Sequence, residues 1–203
     1  MKKIIYLLQA YFFILLSCND NSTNPSETKE IWPLKVGNYW VWKFTNYDSV
    51  GNIKFEFVDT VTVYKDSLYG TEKIYAMKSL GTHIIFEYDF AFNRIDGFYG
   101  ISIENNDIDS YLIFKYPGKV GDWFVQNSDS ITIISTNELY QSTAGKFICY
   151  KYAKYYNYEK TFSKLESYFS PGIGQIGVEY LIKRNDGTYY LFHKTELISY
   201  FVQ

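Results

Sequence analysis

The sequence has few of the residues that support most catalytic and metal-binding chemistry. It contains two histidines and two cysteines in 203 residues, too few for the usual zinc ligand sets or for a disulfide framework. Arginine occurs only at Arg94 and Arg184, and the net charge is −2, which argues against a protein that binds the phosphate backbone of nucleic acid. We therefore expect no metal, no cofactor and no nucleic-acid partner.

Aromatic residues are abundant instead, with 22 Tyr, 16 Phe and 4 Trp making up 21% of the chain. Bulky flat side chains favour pleated sheet, and from residue 31 onward the apolar residues recur with a period of two. Trp40, Trp42 and Phe44 share one face of a strand and are the predicted core residues, and Phe55 and Phe57 alternate with charged residues in the next strand. This alternation is typical of half-buried antiparallel strands.

The pattern predicts an all-β domain over residues 31–203, with about ten or eleven strands in an antiparallel sandwich or partly closed barrel. The clearest hairpin joins residues 175–184 to residues 188–201 through Asn185-Asp186-Gly187. Residues 159–169 are the only candidate for a short helix, and we interpret them as strand.

The N-terminus has the pattern of an export signal. Lys2 and Lys3 precede an apolar stretch from Ile4 to Leu16, which as a helix would span about 20 Å. That length is short of the roughly 30 Å hydrocarbon core of a bilayer, so a cleaved signal peptide is favoured over a permanent membrane span.

The tetrapeptide Leu15-Leu16-Ser17-Cys18 resembles the lipobox of bacterial lipoproteins. The resemblance implies that residues 1–17 form the signal peptide and that Cys18 is acylated, with palmitate as the expected label. It also implies a membrane-anchored protein of the cell envelope, an outer-membrane lipoprotein facing the periplasm or the surface. The alternative is an ordinary secretory peptide in which Cys18 is incidental. Residues 18–30 contain only polar residues after Cys18, which predicts a flexible tether.

Two stretches of the domain are similar to each other. Lys35–Val41 and Lys119–Val125 each contain a Lys-Val-Gly-Asx turn followed by aromatic residues. The similarity has two interpretations, two strands that begin alike or an ancient duplication.

Three short sequence motifs resemble motifs of a group of uncharacterised, secreted, β-rich bacterial proteins. They are the P-L-K-x-G-x-x-W opening at Pro33–Trp40, the A-G-x-F phrase at Ala144–Phe147 and the Y-x-x-P-G-x-G phrase at Tyr168–Gly174. The resemblance supports the all-β fold and the location in the cell envelope, and it implies no activity.

Three motifs match the residue spacing of known binding or catalytic sites but lack other features that those sites require. Gly172–Gly177 matches the dinucleotide-binding spacing, but a strand follows where a helix would have to receive the pyrophosphate. The acidic residues Glu104, Asp107 and Asp109 alternate as calcium ligands do, without the glycine and glutamate of an EF-hand loop. A histidine and two carboxylates share one face of a predicted strand and would form an acid–base group only in a pocket: His83, Glu87 and Asp89. We interpret all three as structural.

The strongest binding candidate is a row of tyrosines. Tyr150, Tyr152, Tyr156 and Tyr158 share one face of the strand 148–158, and tyrosine suits the border between core and water. This face could contact an envelope glycan, a lipid or a protein partner, or it could be the rim of an aromatic core.

The sequence thus favours a non-catalytic binding or structural lipoprotein. One alternative is a carrier of lipid or other hydrophobic cargo in a curved-sheet cavity. The least favoured alternative is a hydrolase of envelope polymers.

Overall fold

The computed structural model describes residues 29–81, 90–104, 107–126, 128–158 and 161–203. The predictions for residues 1–17 and Cys18 lie outside the described residues, as do those for His83, Glu87 and Asp89. Within the described ranges, no helix has the length and apolar character that a membrane crossing requires.

Twelve strands account for most of the described chain, and the predicted all-β class is confirmed. In chain order they are β1 Tyr39–Tyr47, β2 Ile53–Tyr69, β3 Glu72–Ser79, β4 Phe90–Arg94, β5 Gly97–Glu104, β6 Asp107–Lys115, β7 Trp123–Gln126, β8 Asp129–Ser142, β9 Gly145–Tyr158, β10 Thr161–Ser170, β11 Gly174–Lys183 and β12 Tyr189–Phe201. The predicted count of ten or eleven was slightly low, because strands as short as β4 and β7 hold too few residues to show a period of two. Residues 161–170 are strand, as predicted.

The strands form a single antiparallel sheet in the order β6-β5-β4-β3-β2-β1-β12-β11-β10-β9-β8-β7. Strands that follow each other in the chain pair with each other, except β6 and β7, and β1 also pairs with β12. The two ends of the sheet, β6 and β7, lie beside each other, so the sheet curves into a nearly closed barrel. Closure protects sheet edges that would otherwise invite pairing with another chain.

The inner face of the barrel is packed with aromatic rings. Trp40 and Trp42 point inward from β1, as predicted, and are essentially inaccessible. Trp32, from the segment that precedes β1, inserts between the strands and stacks on Phe98 at a centroid distance of 5.0 Å. It meets Trp40 edge-on at 5.6 Å and Phe169 at 5.7 Å. Residues 31–34 therefore act as a plug inside the barrel.

The plug and the strand-joining turns define two ends of the barrel. We call the end where residue 29 joins the proximal end. Here the Gly172 amide, in the β10–β11 turn, donates to the Glu30 carbonyl at 2.7 Å. The β1–β2 and β11–β12 turns lie at the opposite, distal end, where the Arg184 guanidinium donates to the Ser49 carbonyl at 2.5 Å.

The two similar stretches of sequence form the same turn. The Gly37 amide donates to the Val63 carbonyl, and the Val63 amide donates back to the Asn38 carbonyl, each at 2.9 Å. Gly121 and Asp122 make the same pair of bonds with Ile133, also at 2.9 Å. Gly37 and Gly121 have φ values of 96° and 90°, a conformation that glycine adopts without strain. Each turn begins a run of six strands, β1–β6 and β7–β12.

The hairpin of β8 and β9 bends across the outer face of the barrel. At its tip the Ala144 amide donates to the Leu197 carbonyl at 3.2 Å, and the Thr143 hydroxyl donates to Glu196 at 3.1 Å. The Tyr140 ring lies over Gly177, where any side chain would collide with it. Tyr140 and Phe147 are consequently buried although the register places them on the outer face.

Candidate functional site

The structure separates the predicted row of tyrosines by depth. Tyr152 is 1% exposed, its hydroxyl donates to the Lys115 carbonyl at 2.8 Å, and burial raises the pKa of that hydroxyl. It is therefore a core residue and not part of a half-wet contact face. Tyr150 is half-buried against Tyr116, with ring centroids 5.1 Å apart. The side chain of Tyr158 lies outside the described part of the chain.

Tyr156 belongs to a larger feature that the sequence did not reveal. It is half-buried on the inner face near the distal end, and its ring centroid lies 6.1 Å from that of Tyr180 on β11. Further rings continue this row around the barrel. We call the set the aromatic strip, and in strand order it consists of Tyr156, Tyr180, Phe192, His193, Phe44, Phe57 and Phe55.

Ring contacts connect the strip in two groups that meet at a strand pair. Phe192 lies 6.0 Å from Tyr180, which pairs with His193 across β11 and β12. His193 is 5.9 Å from Phe44, and Phe44 stacks on Phe57 at 4.6 Å. Phe55 completes the row at 5.5 Å from Phe57. The strip thus crosses the six neighbouring strands from β9 to β2, a distance of about 24 Å at the usual spacing between strands.

The accessible surface of the strip lies on both sides of Phe44. Phe44 is buried and forms the floor, which agrees with its predicted place in the core. Phe55 and Phe192 are exposed, and Tyr156, Tyr180 and Phe57 are half-buried. Exposed apolar side chains that occur in a group are a feature of binding surfaces.

Polar groups along the strip are held by neighbouring strands. The Tyr180 hydroxyl donates to Ser163 on β10 at 2.8 Å. The two ring nitrogens of His193 contact Asn46 at 2.5 Å and Thr195 at 3.0 Å. Burial lowers the pKa of His193, so its ring is neutral at pH 7. The one ammonium beside these rings in the described contacts is Lys154, 5.0 Å from the Tyr156 centroid and paired with Asp129 at 2.7 Å.

The arrangement offers surfaces for contact with a ligand. Aromatic faces with hydroxyl groups at their edges pack on flat apolar surfaces and hydrogen-bond to polar groups around them. Sugar rings present this combination, with C–H faces and hydroxyl edges. Within the described ranges, no three His, Cys, Asp or Glu side chains lie close enough to hold a metal ion.

The weaker sequence motifs take structural positions. Gly172 and Gly174 form the β10–β11 turn with positive φ values, and Gly174 lies against the Trp32 ring with no room for a side chain. The strand β11 follows them, as the sequence predicted. Asp109 is exposed on β6, where its carboxylate accepts from the Ser110 amide at 2.8 Å.

A second cluster of polar side chains lies under the docked tip of the β8–β9 hairpin. Tyr168 donates to Glu166 at 3.1 Å and to Glu179 at 3.5 Å, and Lys151 pairs with Glu166 at 3.0 Å. Burial raises the pKa of Glu179. Although burial opposes it, hydrogen bonds from Lys164 and Lys151 hold the pKa of Glu166 below its ordinary value. This covered cluster attaches the hairpin, and the sequence pattern gave no signal of it.

The proximal end carries an open pocket of about 280 Å³. Its walls include Lys29, Arg94, Ile95 and Pro117. Arg94 is already committed to Glu72, with two bonds of 2.6 and 2.7 Å. The pocket therefore offers a ligand fewer side chains for contact than the row of rings in the aromatic strip does.

Comparison with known proteins gives two structures of similar architecture. One is a "putative lipoprotein" from Parabacteroides distasonis, with a TM-score of 0.47 and 17% identity over 87% of this chain and 100% of that one. The other is a "putative exported protein with YmcC-like fold" from Bacteroides fragilis, with a TM-score of 0.47 and 12% identity over 86% of this chain and 100% of that one. No protein-family model matches the sequence, and no curated protein matches it.

Proposed function

We propose that the chain is a non-catalytic lipoprotein of the cell envelope, anchored through Cys18, whose barrel binds an envelope glycan at the aromatic strip. The anchoring part rests on the lipobox-like Leu15-Leu16-Ser17-Cys18. Several acyl chains hold a soluble domain to a bilayer, whereas one chain gives only marginal binding.

The binding part rests on one observation, the row of rings across six strands at the distal end. A strip of about 24 Å is long enough for several sugar units of a polymer. Its rings are fixed by strand pairing, so little conformational entropy is lost when a ligand binds. Because exposed rings lie on both sides of the buried Phe44, the strip suits an extended ligand that contacts both groups of rings.

The carrier alternative lacks the feature that it requires. Lipid cargo needs an apolar space inside the barrel, and in the described structure Trp32 and its neighbours fill the interior. The hydrolase alternative would need a pocket that joins His83 to Glu87 or Asp89, and these residues lie outside the described part of the chain. We favour the glycan-binding function because of the aromatic strip.

Anchoring is tested by metabolic labelling with palmitate. We expect the wild-type chain to incorporate the label and to sediment with membranes. Cys18→Ser should lose the label and appear in the soluble fraction or as an uncleaved precursor. A wild-type chain that never incorporates palmitate would show that the lipobox reading is wrong.

Glycan binding is tested with soluble peptidoglycan strands and a panel of neutral and acidic oligosaccharides, using titration calorimetry. Tyr156→Ser should weaken binding about threefold to tenfold, because loss of one aromatic contact removes about 0.5–1.5 kcal/mol. Tyr155→Ser is the matched control, since Tyr155 is the adjacent residue of β9 and is exposed on the outer face.

The two variants separate binding from stability. Both should leave the melting temperature nearly unchanged, whereas Tyr152→Ser should lower it strongly because Tyr152 is core. Equal weakening by Tyr155→Ser and Tyr156→Ser, or no binding to any glycan of the panel, would contradict the assignment of the strip.

A further inference from the structure

Three turns at the proximal end expose an aliphatic side chain to water. Val36 precedes β1, Ile95 lies between β4 and β5, and Val120 precedes β7, with exposed fractions of 42%, 94% and 63%. Single exposed aliphatic residues are ordinary on protein surfaces. Three that occupy the tips of separate turns around the same end of a barrel form a shared apolar rim.

The same end is the place where the chain leaves the described structure. Lys29 and Ile95 line the same open pocket, together with Pro117, which lies three residues before Val120. Val36 stands in the turn that pairs with Val63, beside the plug that begins at residue 31. The rim therefore surrounds the point from which the chain leads back to Cys18.

Lysines accompany the aliphatic tips. Lys35 precedes Val36 and Lys119 precedes Val120, and both lysines are exposed, as is Lys29. An aliphatic side chain next to a lysine suits the surface of a bilayer. The aliphatic side chain enters the headgroup layer, and the lysine ammonium contacts anionic headgroups. Tyr39 and Phe201, stacked at 5.9 Å and partly exposed, add aromatic surface at this end.

We propose that the proximal end of the barrel rests on the membrane surface, with Val36, Ile95 and Val120 in the headgroup layer. The inference rests on the proposed anchoring through Cys18. Eleven residues lead from Cys18 to Lys29, and fully extended they reach at most about 40 Å. The acyl chains thus keep this end near the bilayer, and docking directs the aromatic strip away from it.

The test uses the full lipidated chain in vesicles of phosphatidylethanolamine and phosphatidylglycerol. Ile95→Cys and Val120→Cys are each labelled with an environment-sensitive fluorophore. Val50→Cys is the matched control, because Val50 is 79% exposed in the β1–β2 turn at the distal end. Cys149 is fully buried and Cys18 is acylated under the proposal, so the introduced thiol is the one that reacts.

Docking predicts a blue shift of the emission and quenching by nitroxide-labelled lipid at positions 95 and 120, with neither change at position 50. A shift at position 50, or no shift at any position in a chain that floats with the vesicles, overturns the docking proposal and leaves the anchoring intact. A chain that does not float with the vesicles overturns the anchoring, and docking with it.

A second measurement keeps the result independent of the labels. Val36→Ser combined with Val120→Ser should leave palmitate incorporation and the melting temperature unchanged. The same variant should increase the rate of proteolysis in the β4–β5 turn of membrane-bound protein, because a barrel that no longer docks exposes that turn. An unchanged rate would contradict the proposal.

Discussion

The two halves of the barrel begin with the same turn and differ in what they do with their longest hairpin. In the first half, β2 and β3 end in a tip where Leu68 and Tyr69 are exposed. In the second half, β8 and β9 bend so that Ser142, Tyr140 and Phe147 are buried against the outer face. The docked hairpin covers the carboxylates of β10, β11 and β12, and the free hairpin covers no comparable cluster among the described residues.

Side-chain size explains this difference better than topology does. The docked tip is built from Ser142, Thr143, Ala144 and Gly145, small residues that let the backbone approach Leu197 closely. Its target strand has Gly177 where the Tyr140 ring crosses. Two halves with the same order of strands can therefore differ on the outer face. In one half a hairpin packs on that face, and in the other half the equivalent hairpin leaves it exposed.

The largest expected effect compares the first inward ring of each half. Trp40→Ala should lower the free energy of unfolding by about 4–5 kcal/mol, and Phe124→Ala at the equivalent position by about 3 kcal/mol. Trp40 is completely buried and its indole donates to the Ile173 carbonyl at 2.6 Å, whereas Phe124 is 7% exposed and carries no polar group. Chemical denaturation monitored by circular dichroism measures both values. A larger loss for Phe124→Ala would contradict this ranking of the two positions.

The next effect concerns the docked hairpin and depends on pH. Glu166→Gln should cost about 2 kcal/mol at pH 7, because it removes the charged partner closest to the half-buried ammonium of Lys151. The lowered pKa of Glu166 means that the wild type holds this advantage above the unfolded pKa, near 4.5, and loses it as the pH falls below that value.

Glu179→Gln should have the opposite pH dependence. Because the folded state raises the pKa of Glu179, the wild type loses stability as the pH rises from about 4.5 through the folded pKa. Glutamine imitates the protonated carboxyl and should remove that loss, so the difference between variant and wild type should grow with pH. Thermal melts from about pH 2.5 to pH 8 give the two slopes, that of Glu166→Gln below pH 4.5 and that of Glu179→Gln above it. Slopes of the same sign would contradict the assignment of the two carboxyls.

The alternation of the sequence predicted which residues share a face, and it could not predict depth. Tyr152 and Tyr156 point to the same face of β9. The first packs on Phe114 and Phe169 in the core, whereas the second lies near the distal end. The bulge between Tyr180 and Leu181 brings Phe192 beside Tyr180, and no local pattern reveals this. Burial of Phe147 on the outer face depends on a hairpin that bends across three strands, which is a tertiary contact. The fold class, the terminal hairpin and the inward tryptophans followed from periodicity alone.

The smallest expected effect compares the two turns themselves, at Asn38 and Asp122. Both residues accept the same backbone bond, but only Asn38 is fully buried, where its amide donates to the Pro33 carbonyl at 2.9 Å and accepts from the Gln203 amide at 3.1 Å. Asp122 is partly exposed and pairs with Lys115 at 3.0 Å. Asn38→Ala should therefore cost about 1–3 kcal/mol, since it removes two side-chain hydrogen bonds to the backbone, one to Pro33 and one from Gln203. Asp122→Ala should cost clearly less, because an ion pair between exposed side chains is screened by water and contributes little to stability. Urea denaturation of both variants, with Asn38→Asp as a control for size, measures the difference. Equal costs would mean that the shared backbone bonds, and not the side chains, set the stability of the two turns.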